Sequence, residues 1–184
     1  MSGLSALTEQ NNKDEIVPLE NGADINEKDS NGNTALYNAC LKKYIEIGKL
    51  LENNKINVNM RNNCGRSPFL RSCWDNSNEN VLLMLQDARV DTNMADMIGW
   101  SPLMAACCWG NTKTVQLLLS YGRYIDIHKK STQDYGDIKL GSTALGLAKQ
   151  QNKTDIVQLL EQYQNNPKET QKTLRNQLNL KGKK

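Results

Sequence analysis

The chain has 184 residues, enough for one ordinary domain or for a repeat array with a tail, and too few for two large domains. With 38% hydrophobic and 23% charged residues it falls in the globular range, while 5% aromatics and a single Phe argue against an aromatic-rich sandwich or barrel. The net charge of +3 is unevenly spread: residues 167–184 hold six Lys/Arg against one Glu, which leaves the rest of the chain slightly acidic.

Residues 1–15 are polar and lack the basic-then-apolar order of a secretory leader, so a protein that stays in the cytoplasm, or in the nucleus, is expected. The best uncharged apolar stretch, 103–109, has seven residues against the roughly 18 that a membrane span needs, and no membrane partner is expected. Cys40, Cys64, Cys73, Cys107 and Cys108 lack the paired short spacings of a structural zinc site. Reduced thiols and no metal follow.

Taken in chain order, the first elements lie in residues 15–24, Glu-Ile-Val-Pro-Leu-Glu-Asn-Gly-Ala-Asp, which read as a shortened helix and connector with Pro18 inside the helix. From there the sequence repeats. Gly32-Asn-Thr-Ala-Leu-Tyr-Asn-Ala-Cys40 returns as Gly65-Arg-Ser-Pro-Phe-Leu-Arg-Ser-Cys73, as Gly99-Trp-Ser-Pro-Leu-Met-Ala-Ala-Cys107 and as Gly141-Ser-Thr-Ala-Leu-Gly-Leu-Ala-Lys149, at intervals of 33, 34 and 42 residues.

Each unit follows one physical plan. Gly permits a tight turn, the Ser or Thr two residues later is a helix N-cap, and Pro68 and Pro102 occupy the first helical position, where a missing N–H costs little. After a first helix of about two turns come breaks at 42–43, 75–76, 110–111 and 151–152, and then second helices over 45–53, 79–87, 112–121 and 154–163. Connectors rich in Asn and Asp (22–26, 55–59, 89–93, 124–128) join the units, because such side chains bond the local backbone at bends; this gives a use to many of the 23 Asn.

Gly-x-Thr/Ser-Pro-Leu, then Ala, Leu-Leu and Gly-Ala-Asp-Ile-Asn, recurring in register, resembles the ankyrin repeat over residues 16–163. The resemblance implies an all-α solenoid of helix-turn-helix units joined by β-hairpin-like loops. It divides the chain into a degenerate N-terminal capping repeat at 1–28, four repeats at 29–61, 62–95, 96–128 and 137–163, an insertion at 129–139 expected to form an elongated finger, and a basic C-terminal tail at 164–184. Where the family usually has His after the Leu, this chain has Tyr37, Leu70, Met104 and Gly146.

Catalysis finds no support. Cys40, Cys73 and Cys107 share one register position and read as small buried groups, leaving Cys64 as the expected exposed thiol. The only histidine, His128, lies in a connector away from them, so no thiol–imidazole pair assembles. Asp24, Asp91 and Asp126 recur as turn residues, and no phosphate loop or cofactor motif is present.

What the resemblance implies is a non-catalytic scaffold or adaptor that captures a partner protein on the concave face of the stack, with no small-molecule substrate. On that face the register places Trp74, Trp100 and Trp109 as anchors, Arg66 and Asp75 as polar contacts, Met97 as an adaptable rim, and Ile98, Asn33 and Lys42 around them. The competing reading is that the tryptophans cover helix ends inside the stack, with Trp109, beside Gly110, the first candidate. The tail, with Leu174 and Leu178 one turn apart, offers Lys172, Arg175, Lys181, Lys183 and Lys184 as a foothold on RNA, a ribosome or an acidic partner; a solvated tail is the alternative.

Overall fold

A computed structural model describes residues 24–42 and 47–180. The degenerate capping repeat lies almost wholly outside these residues, as do Lys181, Lys183 and Lys184.

The described residues contain nine helices and no strand: α1 Ala35–Leu41, α2 Ile47–Leu51, α3 Pro68–Trp74, α4 Asn78–Gln86, α5 Pro102–Trp109, α6 Thr112–Ser120, α7 Ala144–Gln150, α8 Thr154–Asn165 and α9 Pro167–Gln177. The first helices α1, α3, α5 and α7 pack in one row, and the second helices α2, α4, α6 and α8 follow in another. Neither row could hide its apolar side alone. Leu36, Phe69 and Leu103 on the first helices and Val81, Val115, Leu118 and Leu160 on the second are almost wholly buried against neighbouring units.

The helix starts obey the local chemistry. Thr34, Ser67, Ser101 and Thr143 accept hydrogen bonds from the backbone N–H of Tyr37, Leu70, Met104 and Gly146, at 3.1–3.3 Å. These four caps fix where each first helix begins, each worth about 1 kcal/mol. Ahead of them the chain turns through Gly32, Gly65, Gly99 and Gly141, all at φ between +74 and +83. At Gly99 the turn also touches its neighbour: a Cβ there would lie 2.7 Å from Thr132 N.

Successive hairpins are bonded tip to tip. Asn63 N–H donates to Asn31 O at 3.0 Å, Met97 N–H to Cys64 O at 3.3 Å, and Thr132 N–H to Ile98 O at 2.9 Å. A second ladder runs along the connectors. The Asn26 amide accepts from Asn57 N–H and donates to Lys55 O; Asn59 does the same with Asp91 N–H and Arg89 O, and Asn93 with Asp126 N–H and Tyr124 O, all at 2.7–2.9 Å. These asparagines therefore bond the next repeat's backbone, where the sequence suggested bends within one connector.

Two expectations need correction. The insertion is no elongated finger: it is spliced into the last hairpin tip and folds back. In the first three tips the closing bond joins residues four apart (Asp29 to Asn33, Asn62 to Arg66, Asp96 to Trp100), whereas Ser131 bonds Ser142, so the tip is seven residues longer. Its own Tyr135–Ile138 pairing, the buried Ile138 and a bond from Gln150 Nε2 to Asp137 O hold it down. The tail, too, is not simply solvated. One residue, Asn166, separates α8 from α9, which lies against α6 and α8, buries Leu174 and donates from Gln171 to Leu119 O; Leu180, just beyond the helix, is buried as well.

Candidate functional site

The first helices end, and the hairpins rise, on one face of the array, and most of the polar and aromatic residues picked out above meet there. Trp74 closes α3; the Trp100 ring centroid is 5.2 Å from it and that of Trp109, the last residue of α5, is 5.7 Å away. Tilted ring pairs at these distances add about 0.5–1.5 kcal/mol each beyond the area they bury. The Arg66 guanidinium lies 4.4 Å above the Trp74 ring.

The three tryptophans differ sharply in exposure, and here one placement is overturned. Trp100 is only 1% exposed: Trp74 packs on one side, and Tyr135 from the insertion meets it edge-on at 5.9 Å and 67°. It belongs to the interior and cannot be an anchor. Trp74 is half-buried, and Trp109, the residue suspected of covering a helix end, stands 54% exposed.

The polar candidates divide likewise. Asn33 is buried at its hairpin, with its amide donating to Asp29 and accepting from Asn62, so it is a structural residue rather than an exposed contact. Asp75 is engaged by Arg71 one turn back through two bonds of 2.6 and 2.9 Å. Arg66 keeps 21% of its side chain exposed and lies 3.5 Å from the buried Asp96. Met97 is 61% exposed, Ile98 is half-buried, and Lys42, at the end of α1, is exposed. Of the tail residues, Lys172 is exposed and 4.0 Å from Glu169, while Arg175 is half-buried. The structure does not bring either to the tryptophan face.

Tyr135 and Lys153 belong to this face and were not singled out from the sequence. Tyr135 carried one legible signal, an aromatic residue within extra length placed at a hairpin tip. Lys153 carried none, because its stem reaches Gly110 across a repeat boundary, where a Cβ would lie 3.0 Å from its Cδ and Cε.

Four of the five cysteines are buried and inert by placement. Burial pushes the Cys40 thiol up to about 12 and raises Cys73 and Cys107 strongly as well. Burial also raises Cys108, against the pull of Lys153, and only Cys64 is exposed. Among the described residues no three His, Cys, Asp or Glu side chains gather as a metal would need, and no helix is long and apolar enough to cross a membrane. A groove of 580 Å³ between α6, α8 and α9 is lined mainly by amides and hydroxyls, including Gln116, Gln158, Gln162, Thr170 and Thr173.

A family model described as ankyrin repeats (3 copies) matches the sequence in three overlapping stretches, residues 4–96, 54–131 and 85–172. The chain belongs to the ankyrin-repeat family. No curated protein matches the sequence. Ankyrin repeats are in general modules of protein–protein interaction and are typically not catalytic. In this ankyrin chain the face of first helices and hairpin tips carries three adjoining tryptophan rings, of which Trp100 is buried in the stack and Trp109 is 54% exposed.

Proposed function

We propose that this ankyrin protein is a non-catalytic adaptor that captures a partner protein on the concave face of its stack, over the second and third repeats. The observation that carries the reading is Trp109. A large ring is held at an angle by Trp74 beneath it and still leaves over half of its surface open. Roughly 100 Å² of ring awaits cover, about 2–3 kcal/mol if a partner buries it. Because its neighbours already fix the ring, docking costs it little further freedom. Met97 and Ile98 extend the apolar rim, and Arg66 supplies a charged edge.

The alternative, a hold on RNA or a ribosome through the basic tail, draws less support. The described part of the tail spends its apolar side on covering the stack, and Lys172 stands beside Glu169, which would repel a phosphate.

A photo-crosslinking amino acid at Met97, compared with one at the exposed Glu79 on α4, tests the reading in cells. Proteins trapped at position 97 and missing at position 79 are expected. Equal trapping at both positions, or trapping of RNA alone, rejects it.

A further inference from the structure

Resting on that reading, the chemistry of the partner can be narrowed from which polar groups on the tryptophan face have partners. The acids there are consumed. Asp75 is held by two bonds from Arg71, and Asp96 is buried, its Oδ1 accepting from the N–H groups of Ile98 and Trp100. In the insertion, Asp134 accepts from Leu140 N–H and pairs with Lys139. One repeat further along, Asp137 beside Gln150 and Asp155 in the first turn of α8, two residues after Lys153, stay exposed and are bonded less tightly.

The donors are not consumed. Arg66 Nε is buried without a hydrogen-bond acceptor, since Asp96 pairs with it as an ion at 3.5 Å and makes no hydrogen bond to it; Trp100 Nε1 also lacks an acceptor but lies in the interior, out of a partner's reach. Lys153, half-buried with its stem against Gly110 beside Trp109, makes no ion pair among the described residues. A partner cation finds this face closed, because Arg66 already occupies the Trp74 ring and would repel it. What the face lacks is acceptors.

We propose that the Trp74–Trp109 surface takes an acidic segment of a partner protein, with carboxylates reaching Arg66 and Lys153 on either side and an apolar side chain seated on Trp109. Arg66 lies over Trp74, at the end of α3, and Lys153 lies against Gly110, at the end of α5, so a segment touching both would cross the ends of these two helices. Carboxylate contacts of this kind set partner choice and weaken with salt.

Panning the immobilised full chain against a random peptide library displayed on phage tests this. Enrichment of peptides combining Asp or Glu with an aromatic or aliphatic residue is expected. The selected peptide should bind about tenfold more weakly to the Arg66→Gln/Lys153→Gln variant, and more weakly at high salt. Enrichment of basic or neutral peptides, no enrichment, or affinity unchanged in that variant overturns the proposal, as does a labelled oligouridine bound through the same two cations. The two readings fail separately. If Trp109→Ala abolishes binding of a selected peptide that Arg66→Gln/Lys153→Gln leaves unchanged, the docking face stands and its acidic partner does not; if neither variant matters, both fall.

Discussion

Two glycines in the same left-handed turn separate what a hairpin costs by itself from what its neighbour imposes. Gly99 and Gly141 have φ of +79 and +83, but a Cβ at Gly99 would lie 2.7 Å from Thr132 N, whereas nothing stands within 4 Å of one at Gly141. In Gly141→Ala the left-handed backbone costs about 1–2 kcal/mol, partly offset by about 0.4–1 kcal/mol from a stiffer unfolded chain, for a net loss of about 1 kcal/mol. Gly99→Ala adds the displacement of Thr132. The 2.9 Å bond from Thr132 N–H to Ile98 O goes, about 1 kcal/mol, and crowding of a backbone that cannot swing aside adds about 1–3 kcal/mol. The total is about 3–5 kcal/mol. Urea denaturation followed by far-ultraviolet circular dichroism, with a slope of roughly 2 kcal/mol per molar, should show midpoints lower by about 0.5 M for Gly141→Ala and about 1.5–2.5 M for Gly99→Ala. Equal shifts in the two variants would refute the claim that neighbouring tips support one another.

Trp100→Ala should destabilise by about 3–5 kcal/mol in the same assay, since it empties a fully buried site between Trp74 and Tyr135; a loss below about 1 kcal/mol would mean the insertion does not cover it. Asn59→Ala removes two bonds to the following connector, both at the surface where water replaces them in part, and should cost about 1–2 kcal/mol; an unchanged midpoint would show the ladder to be idle. Cys40 is raised from 9.0 to about 12 by burial, so its neutral thiol favours the folded state. Its contribution is complete below pH 9 and is lost as pH rises from about 9 towards 12, where the unfolded thiol ionises first; the alkaline fall in unfolding midpoint should be shallower in Cys40→Ala, and an identical fall in both proteins would contradict the placement.

Local chemistry was legible in the sequence, and contacts made across repeats were not. The four N-caps, Pro68 and Pro102 at helix starts, the glycine turns and the buried register of Cys40, Cys73 and Cys107 each depend on neighbours a few residues away, so spacing alone located them. Trp100 was misplaced because its exposure depends on Tyr135, 35 residues on, in a segment whose path no periodicity describes. The same holds for α9. Leu174 and Leu178 signalled an amphipathic helix, but only the tertiary structure shows that α6 and α8 receive it. The residue type at Asn26, Asn59 and Asn93 signals a bend, but nothing local shows that the amides reach about 30 residues forward to the next connector.

The same distinction bears on the site. Trp74 and Trp109 followed from their register on the first helices, and the structure keeps both at the surface to different degrees. Arg66 was visible as a charge, but its position over Trp74 and the absence of an acceptor for its Nε arise only when two hairpins and two helices are stacked.

The direct test of the docking face is a titration of a partner trapped at position 97 into the full chain and into Trp109→Ala. The ring is more than half exposed, so its removal loses the Trp74 ring contact and the covered part of the side chain, about 1–3 kcal/mol of stability and less than the loss expected for Trp100→Ala, while the affinity should fall at least tenfold. Undiminished affinity in a folded Trp109→Ala protein would contradict the account.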